Sequence, residues 1–294
     1  MKPWLELLKL RITIASTVTT AVGYVMARGQ FDLHMIPVMV GILLQACGAA
    51  ALNQVQDARL DGLMERTAGR PIPSGRISRL VAGVYAVLLL VAGTSLLWLS
   101  GSTPALLGLA AAVVYNGIYT PLKRVSPFVV LPGSLIGALP PVVGWTAAGG
   151  YLIDPSIHLV AFFFFIWQIP HFWLLLLFYA RDYQDGGLPS LFDRFDRRQI
   201  VKLTFLWIAA VCVAALLLPM VDLFKQTSLA YVIAAAGLMV VVRATALLRI
   251  DVGQLETQGT EALKPFGKSC RIRFMEINTF ALLVAALLVV DGLN

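Results

Sequence analysis

Apolar residues in this chain run in long blocks broken by short polar connections. Blocks near residues 11–27, 34–56, 79–99, 103–119, 128–147, 157–180, 200–219, 229–248 and 273–290 come close to the length a helix needs to cross a bilayer, about 17–25 residues. Nine such blocks predict an all-α, polytopic membrane protein, with residues 1–294 forming one transmembrane domain. The connection SGSTP between the third and fourth blocks reads as a tight turn, and the stretch from Arg28 to Leu33 as a short polar loop. Positive charge precedes the first block, but Arg28-Gly29-Gln30-Phe31-Asp32 follows it and no small-residue cleavage site is convincing. The block therefore reads as a first spanning helix and not as a removed leader.

Composition agrees: 59% of residues are hydrophobic and only 13% charged, where a soluble domain carries about a quarter charged. A net charge of +7 raises nucleic acid as a partner, and the positions of the charges argue against it. If the nine blocks alternate across the bilayer, 21 of the 23 Lys and Arg fall on the side of the N-terminus, leaving Arg28 and Lys225 opposite. That asymmetry predicts a cytoplasmic N-terminus and an outer C-terminus in a bacterial plasma membrane, with the basic loops beside anionic lipid. Cys47, Cys212 and Cys270 have neither metal-like spacing nor the look of a disulfide framework.

The first dense charge cluster lies between Asn53 and Pro73, NQVQDARLDGLMERTAGRPIP, at the end of the second block. Asn53, Asp57 and Asp61 are four apart, and each step of four turns a helix by about 400°, so the three side chains share a face. Carboxylates are costly beside a bilayer and mark function by default. Two carboxylates and an amide oxygen suit Mg²⁺, which completes its shell with water and phosphate. Arg66 and Arg70, which follow, suit phosphate oxygens. The chemistry suggested is a metal-bridged diphosphate at a membrane surface; the plainer alternative is a solvated helix end with paired charges.

Asp182 and Asp185, three apart at the end of the sixth block, form a second acidic cluster at the same boundary. Two acidic sites on one side can clamp a diphosphate between two Mg²⁺ ions. Asp185 reads equally well as a solvated loop acid. At the end of the fourth block, Asn116, Thr120 and Lys123 share a helical face if the helix survives Pro121; otherwise Lys123 and Arg124 read as snorkelling interface anchors. His171 follows Pro170 inside an apolar block, where a lone His is commonly a buried hydrogen-bonding residue that helps repair the bond the proline removes.

The string N-x-x-x-D-x-x-x-D-x-x-M-x-R-T-x-x-R-P, matched at Asn53, Asp57, Asp61, Met64, Arg66, Thr67, Arg70 and Pro71, resembles the UbiA-type intramembrane prenyltransferases. The acid spacing and the tail resemble their protoheme IX farnesyltransferase (heme O synthase) branch. Further strings are similar to the same branch: Y-T-x-L-K-R at Tyr119–Arg124, G-A-x-P-P-x-x-G-W ending at Trp145, and W-Q-x-P-H-F at Trp167–Phe172. Asp182 and Tyr183 match the start of D-Y-x-x-A-G, while Gly186 stands where Ala is usual and Asp185 falls on a variable position. Gly133-Ser134 stands where the branch usually shows a glycine pair.

The resemblance implies nine helices around a central cavity open to the cytoplasmic side, and Mg²⁺-dependent transfer of a farnesyl group from farnesyl diphosphate to a vinyl group of protoheme IX (heme B), giving heme O. It implies Asp57, Asp61 and Asp182 as catalytic metal ligands with Asn53 and Asp185 completing the shell, and Arg66, Arg70, Lys123 and Arg124 around the diphosphate. His171 and Trp167 are expected beside the haem, and Asn116, Tyr119 and Tyr183 elsewhere in the pocket. Membrane lipid and a downstream heme-receiving enzyme are the further partners expected. The alternatives are a prenyltransferase of another acceptor (an aromatic acid, quinone precursor or chlorophyll-type ring) and a non-catalytic heme-handling or transport protein.

Overall fold

The computed structural model describes residues 2–179, 189–221, 223–252, 255 and 263–294. Among them, nine helices are long and apolar enough to span a membrane: α1 (Leu10–Arg28), α2 (Met35–Asp61), α3 (Arg79–Trp98), α4 (Ser102–Leu122), α5 (Val130–Ala147), α6 (Pro155–Phe178), α7 (Arg197–Met220), α8 (Thr227–Leu248) and α9 (Lys264–Gly292). The protein is an integral membrane protein. Most ends fall within a few residues of the hydropathy blocks. Two helices overrun them: α2 continues to Asp61, and α9 starts at Lys264, in polar sequence. Helices end where backbone bonding ends, not where hydropathy does, so a boundary helix carries polar side chains along one face.

Several ends are capped as their sequence demands. The Asp154 carboxylate accepts from Ser156 N at 2.9 Å, and Asp196 and Gln199 form a reciprocal capping box at the start of α7. Asp32 accepts from Tyr24 Oη at 2.6 Å, Arg28 Nε at 2.9 Å and Met35 N at 3.2 Å, pinning the α1–α2 loop. The Tyr24 hydrogen bond, and after it Arg28, holds this carboxyl at about 2, below the usual range. Asp291 likewise accepts from the backbone of Lys225 and Gln226, tying the end of α9 to the start of α8.

Pro121 does not end α4. The helix widens into a π-turn over Val114–Tyr119 and resumes at Thr120–Leu122. In π register Thr120 and Pro121 would bond the carbonyls five residues back. Thr120 Oγ1 donates to Tyr115 O at 2.8 Å, and Gln56 Nε2 of α2 donates to Asn116 O at 3.0 Å, supplying the donor that proline lacks.

The helices pack as a ring. α1 touches α2, α5 and α9; α2 lies on α3, α5 on α6, and α6 on both α7 and α9. Lipid-facing positions such as Leu80, Leu88 and Leu238 are exposed and apolar, as expected where the surrounding solvent is hydrocarbon. Without a hydrophobic drive between helices, close packing carries the association, and small residues allow it. At the α1–α5 crossing a Cβ on Gly23 would lie 1.8 Å from Pro141 O, and one on Gly144 1.8 Å from Thr20 O. The two backbones meet with no room for a side chain.

Gly144→Ala should therefore separate α1 from α5 and cost about 3 kcal/mol or more, seen as a lowered melting temperature of the purified protein. Gly83→Ala, where an added Cβ meets nothing within 4 Å, is the control and should leave it unchanged.

Candidate active site

The last two turns of α2 carry the site. Asn53, Asp57 and Asp61 lie on one face, and all three are buried, at 3%, 2% and 2% exposure. Each meets a partner from a different part of the chain. Asn53 Oδ1 accepts from Lys9 Nζ at 2.8 Å, while its Nδ2 donates to Asp57 Oδ2 and to Thr120 Oγ1, both at 2.9 Å. Asp57 accepts from Lys123 through Oδ2 and from Arg124 Nη2 through Oδ1 at 3.4 Å. One nitrogen of Arg70, Nη1, reaches both oxygens of Asp61, at 2.7 and 2.8 Å. Thr67 Oγ1 donates to Asp61 O at 2.8 Å and folds the following loop back so that Arg70 can reach.

The row faces a cavity of about 710 Å³. Lys9, Arg11, Arg66, Arg70 and Lys123 line its charged end, with Tyr115 and Tyr119 beside them. The Arg66 guanidinium also stacks over the Tyr179 ring at 5.3 Å. Apolar side chains of α2, α5 and α6, among them Ile42, Ile136, Val143 and Phe164, line the remainder together with Trp167 and His171. Gly137 makes space here: a Cβ on it would lie 1.2 Å from Gln168 Nε2. Trp167 Nε1 donates to Ile277 O at 3.2 Å, and His171 Nδ1 lies 2.9 Å from Asn278 Oδ1, so α6 is tied to α9 at both positions.

Asn53, Asp57, Asp61, Arg66, Arg70, Lys123, Tyr119, Trp167 and His171 thus line one cavity. Two expectations are corrected. Asn116 does not line the cavity: the π-turn directs its Nδ2 to Ala112 O at 3.1 Å, and the residues facing the cavity from that turn are Tyr115 and Tyr119. Arg124 lies behind Asp57, bonded to Gln56 O at 2.8 Å, and does not line the cavity either. The imidazole of His171 engages Asn278 on another helix, not a carbonyl freed by Pro170. Asp182, Tyr183 and Asp185 lie outside the described residues. Among the described residues no group of three or more His, Cys, Asp and Glu comes together for a metal.

Lys9 went unrecognised as a site residue in the sequence, where it counts only as one more basic residue. It is the only described non-glycine residue with positive φ (φ 49°, ψ 47°), and this turn between the short helix Lys2–Leu7 and α1 swings its side chain onto Asn53. Burial, and then the charges of Arg70 and Lys123, push its ammonium down to about 7. An anion entering the site would restore its full charge. Two carboxylates and an amide oxygen in one buried row form a donor set that fits Mg²⁺. The row is also crowded with cations: Arg70 and Lys123 hold the oxygens a metal would take. The arrangement can thus exchange partners with a metal-bound polyanion, carboxylates going to the metal and cations to the anion.

The chain is similar to known proteins in sequence and in fold. Residues 16–256 match the UbiA prenyltransferase family. The chain is 34% identical over 244 residues to a protoheme IX farnesyltransferase of Nitratidesulfovibrio vulgaris (strain DP4), covering 83% of this chain and 85% of that one. It is 37% identical over 215 residues to that of Geobacter sulfurreducens, covering 73% and 80%. In fold it is similar to a UbiA homolog from Archaeoglobus fulgidus bound to GPP and Mg²⁺, with TM-score 0.70 and 15% identity over 95% of this chain and 99% of that one. An apo UbiA homolog from Aeropyrum pernix K1 gives TM-score 0.74 and 17% identity over 96% and 98%.

Removing the charge of Lys9 tests whether the turn before α1 belongs to the site. Lys9→Met should weaken binding of inorganic diphosphate in the presence of Mg²⁺ by about tenfold or more, since a charge-assisted hydrogen bond is worth about 1.5–3 kcal/mol. Calorimetric titration should show Lys9→Arg recovering part of the loss; equal affinity in the Met variant and the native protein would place Lys9 outside the anion site.

Proposed function

The chain belongs to the UbiA prenyltransferase family and is a membrane prenyltransferase, and on that premise we propose that it transfers a farnesyl group from farnesyl diphosphate to a vinyl group of protoheme IX, giving heme O. The observation that carries the reading is the buried row Asn53–Asp57–Asp61, met by cations in a largely apolar cavity that His171 also lines. The name shared by its relatives from two genera supports the same acceptor.

Asp57, Asp61 and Asn53 would hold Mg²⁺, with Asp182 as a further ligand and Asp185 as a weaker one; bound there, the ion would neutralise charge on the diphosphate. Arg70 and Lys123, released from the carboxylates, would bind the diphosphate oxygens together with Lys9 and Arg66. These groups are aimed at the place where negative charge grows as the C1–O bond breaks and its electron pair leaves with the diphosphate. Preorganised donors of this kind are worth about 3–4 kcal/mol each. The apolar walls exclude water from the allylic cation. The terminal carbon of the haem vinyl group supplies the electron pair for the new C–C bond, and water then adds to the resulting cation, losing a proton to leave the hydroxyl. His171 would contact the haem as an axial ligand or by positioning it, with Trp167 beside its ring at 4.9 Å between centroids. The enzyme would work in the bacterial plasma membrane with its acidic row toward the cytoplasm, and its product would pass to a heme-receiving enzyme in that membrane.

Purified protein incubated with haem, Mg²⁺ and farnesyl diphosphate should yield a porphyrin heavier by one farnesyl and one hydroxyl group in mass spectrometry; an unmodified haem with all three present would refute the acceptor. Asp57→Asn and Asp61→Asn should each lower turnover by about 100-fold or more, while the protein stays folded in the membrane; near-native turnover at limiting Mg²⁺ in either would remove that residue as a ligand.

Orientation is tested by reporters. One fused after Asn294 should read as outside the cytoplasm and one between Asp185 and Arg198 as inside. Both on the same side would contradict the nine-helix topology.

A further inference from the structure

His171 lines the cavity, boxed by rings: Trp167 at 4.9 Å, Phe274 at 4.6 Å and Phe172 at 5.6 Å between centroids. Its Nδ1 is 2.9 Å from Asn278 Oδ1. An imidazole nitrogen can donate or accept, so this contact alone leaves the proton unplaced. Asn278 decides it. The amide Nδ2 donates to Phe274 O, one helical turn back in α9, at 2.6 Å. Turning the amide over would set its oxygen against that carbonyl, acceptor against acceptor. Asn278 therefore presents Oδ1, which can only accept, to the ring, and Nδ1 must carry the hydrogen. In the neutral imidazole Nε2 then keeps its lone pair, and no described residue bonds it. This is the less populated tautomer of free histidine in water, so the protein is selecting it.

We propose that Asn278 is a positioning residue for the acceptor: it locks His171 in the Nδ1–H tautomer so that Nε2 offers its lone pair to the metal of a metalloporphyrin in the cavity. The proposal rests on the reading of His171 as the haem contact. A histidine that ligates a metal through one nitrogen characteristically donates the other N–H to a fixed acceptor, and losing that acceptor costs about 10–100-fold in metal affinity. The bond from Trp167 Nε1 to Ile277 O, one turn along α6, holds the two helices in the register the pair needs.

Two measurements on the full chain in lipid nanodiscs test it. The first uses no haem: ¹⁵N-histidine NMR, with the His171 signals assigned by their loss in His171→Gln. The native protein should show a protonated Nδ1 and a bare Nε2, and Asn278→Leu should move the proton to Nε2. A native protein with Nε2–H overturns the proposal outright, whether or not any variant folds. The second titrates ferric haem. His171→Ala should lose the imidazole-ligated Soret band. Asn278→Leu should weaken haem binding about tenfold or more, and Asn278→Asp, which keeps an acceptor for Nδ1–H, should retain the ligated spectrum. Haem affinity and spectrum indifferent to His171→Ala would overturn the acceptor reading and the ligand role with it. Dependence on His171 with unchanged affinity and tautomer in Asn278→Leu would overturn the role of Asn278 alone.

Discussion

Two carboxylates enclosed on a spanning helix set the terms for the half of the protein around them. Taking a charge out of water costs several kcal/mol even after relaxation, and only close counter-charges and hydrogen bonds offset it. Asp57 and Asp61 draw theirs from well-separated places: Lys123 and Arg124 at the end of α4, and Arg70 from the loop beyond α2, with Lys9 joining through Asn53. The same contacts hold the N-terminal turn, the two helices and the loop together. Four cations stand around two carboxylates, so the paired site still carries an excess of positive charge. Structural compensation and appetite for a polyanion come from one arrangement.

Two further polar links hold cavity-lining residues in place. Trp167 and His171 of α6 are bonded to Ile277 O and Asn278 of α9, and most of the cavity lining is apolar. Such a cavity suits a ligand with one strongly charged head and a long hydrocarbon body. The α1–α2 and α7–α8 loops, by contrast, are pinned by Asp32 and Asp291, whose hydrogen bonds go to groups of the loops and helix ends themselves.

The nine helices were legible because lipid imposes length and hydropathy on each of them. The acidic row was legible because its period of four residues is a helical period and its charges are out of place beside a membrane. Lys123 was legible only in part: its role hung on whether the helix survived Pro121, and the bond from Gln56 that allows this is tertiary. Lys9 and Asn278 were not legible. Nothing in the local sequence announces a left-handed turn at a lysine, and an asparagine in an apolar helix gains meaning only from the histidine it faces. Asn116 failed for a related reason, since its predicted face assumed 3.6 residues per turn where the chain adopts a wider one.

That wider turn also makes the spacing of α4 as consequential as its composition. A residue more or less rotates everything beyond it by about 100° around the helix axis. The segment Val114–Tyr119 therefore works as a phase shifter: it holds one residue beyond α-helical winding and so brings Thr120 and Lys123 round to Asn53 and Asp57. Deleting Val114, Asn116, Gly117 or Ile118 would leave Thr120 and Lys123 chemically intact and turn them away from Asn53 and Asp57. In this protein the count of residues before Thr120 is itself a structural requirement, and a gap placed in that segment when related chains are aligned pairs side chains that do not face the same way.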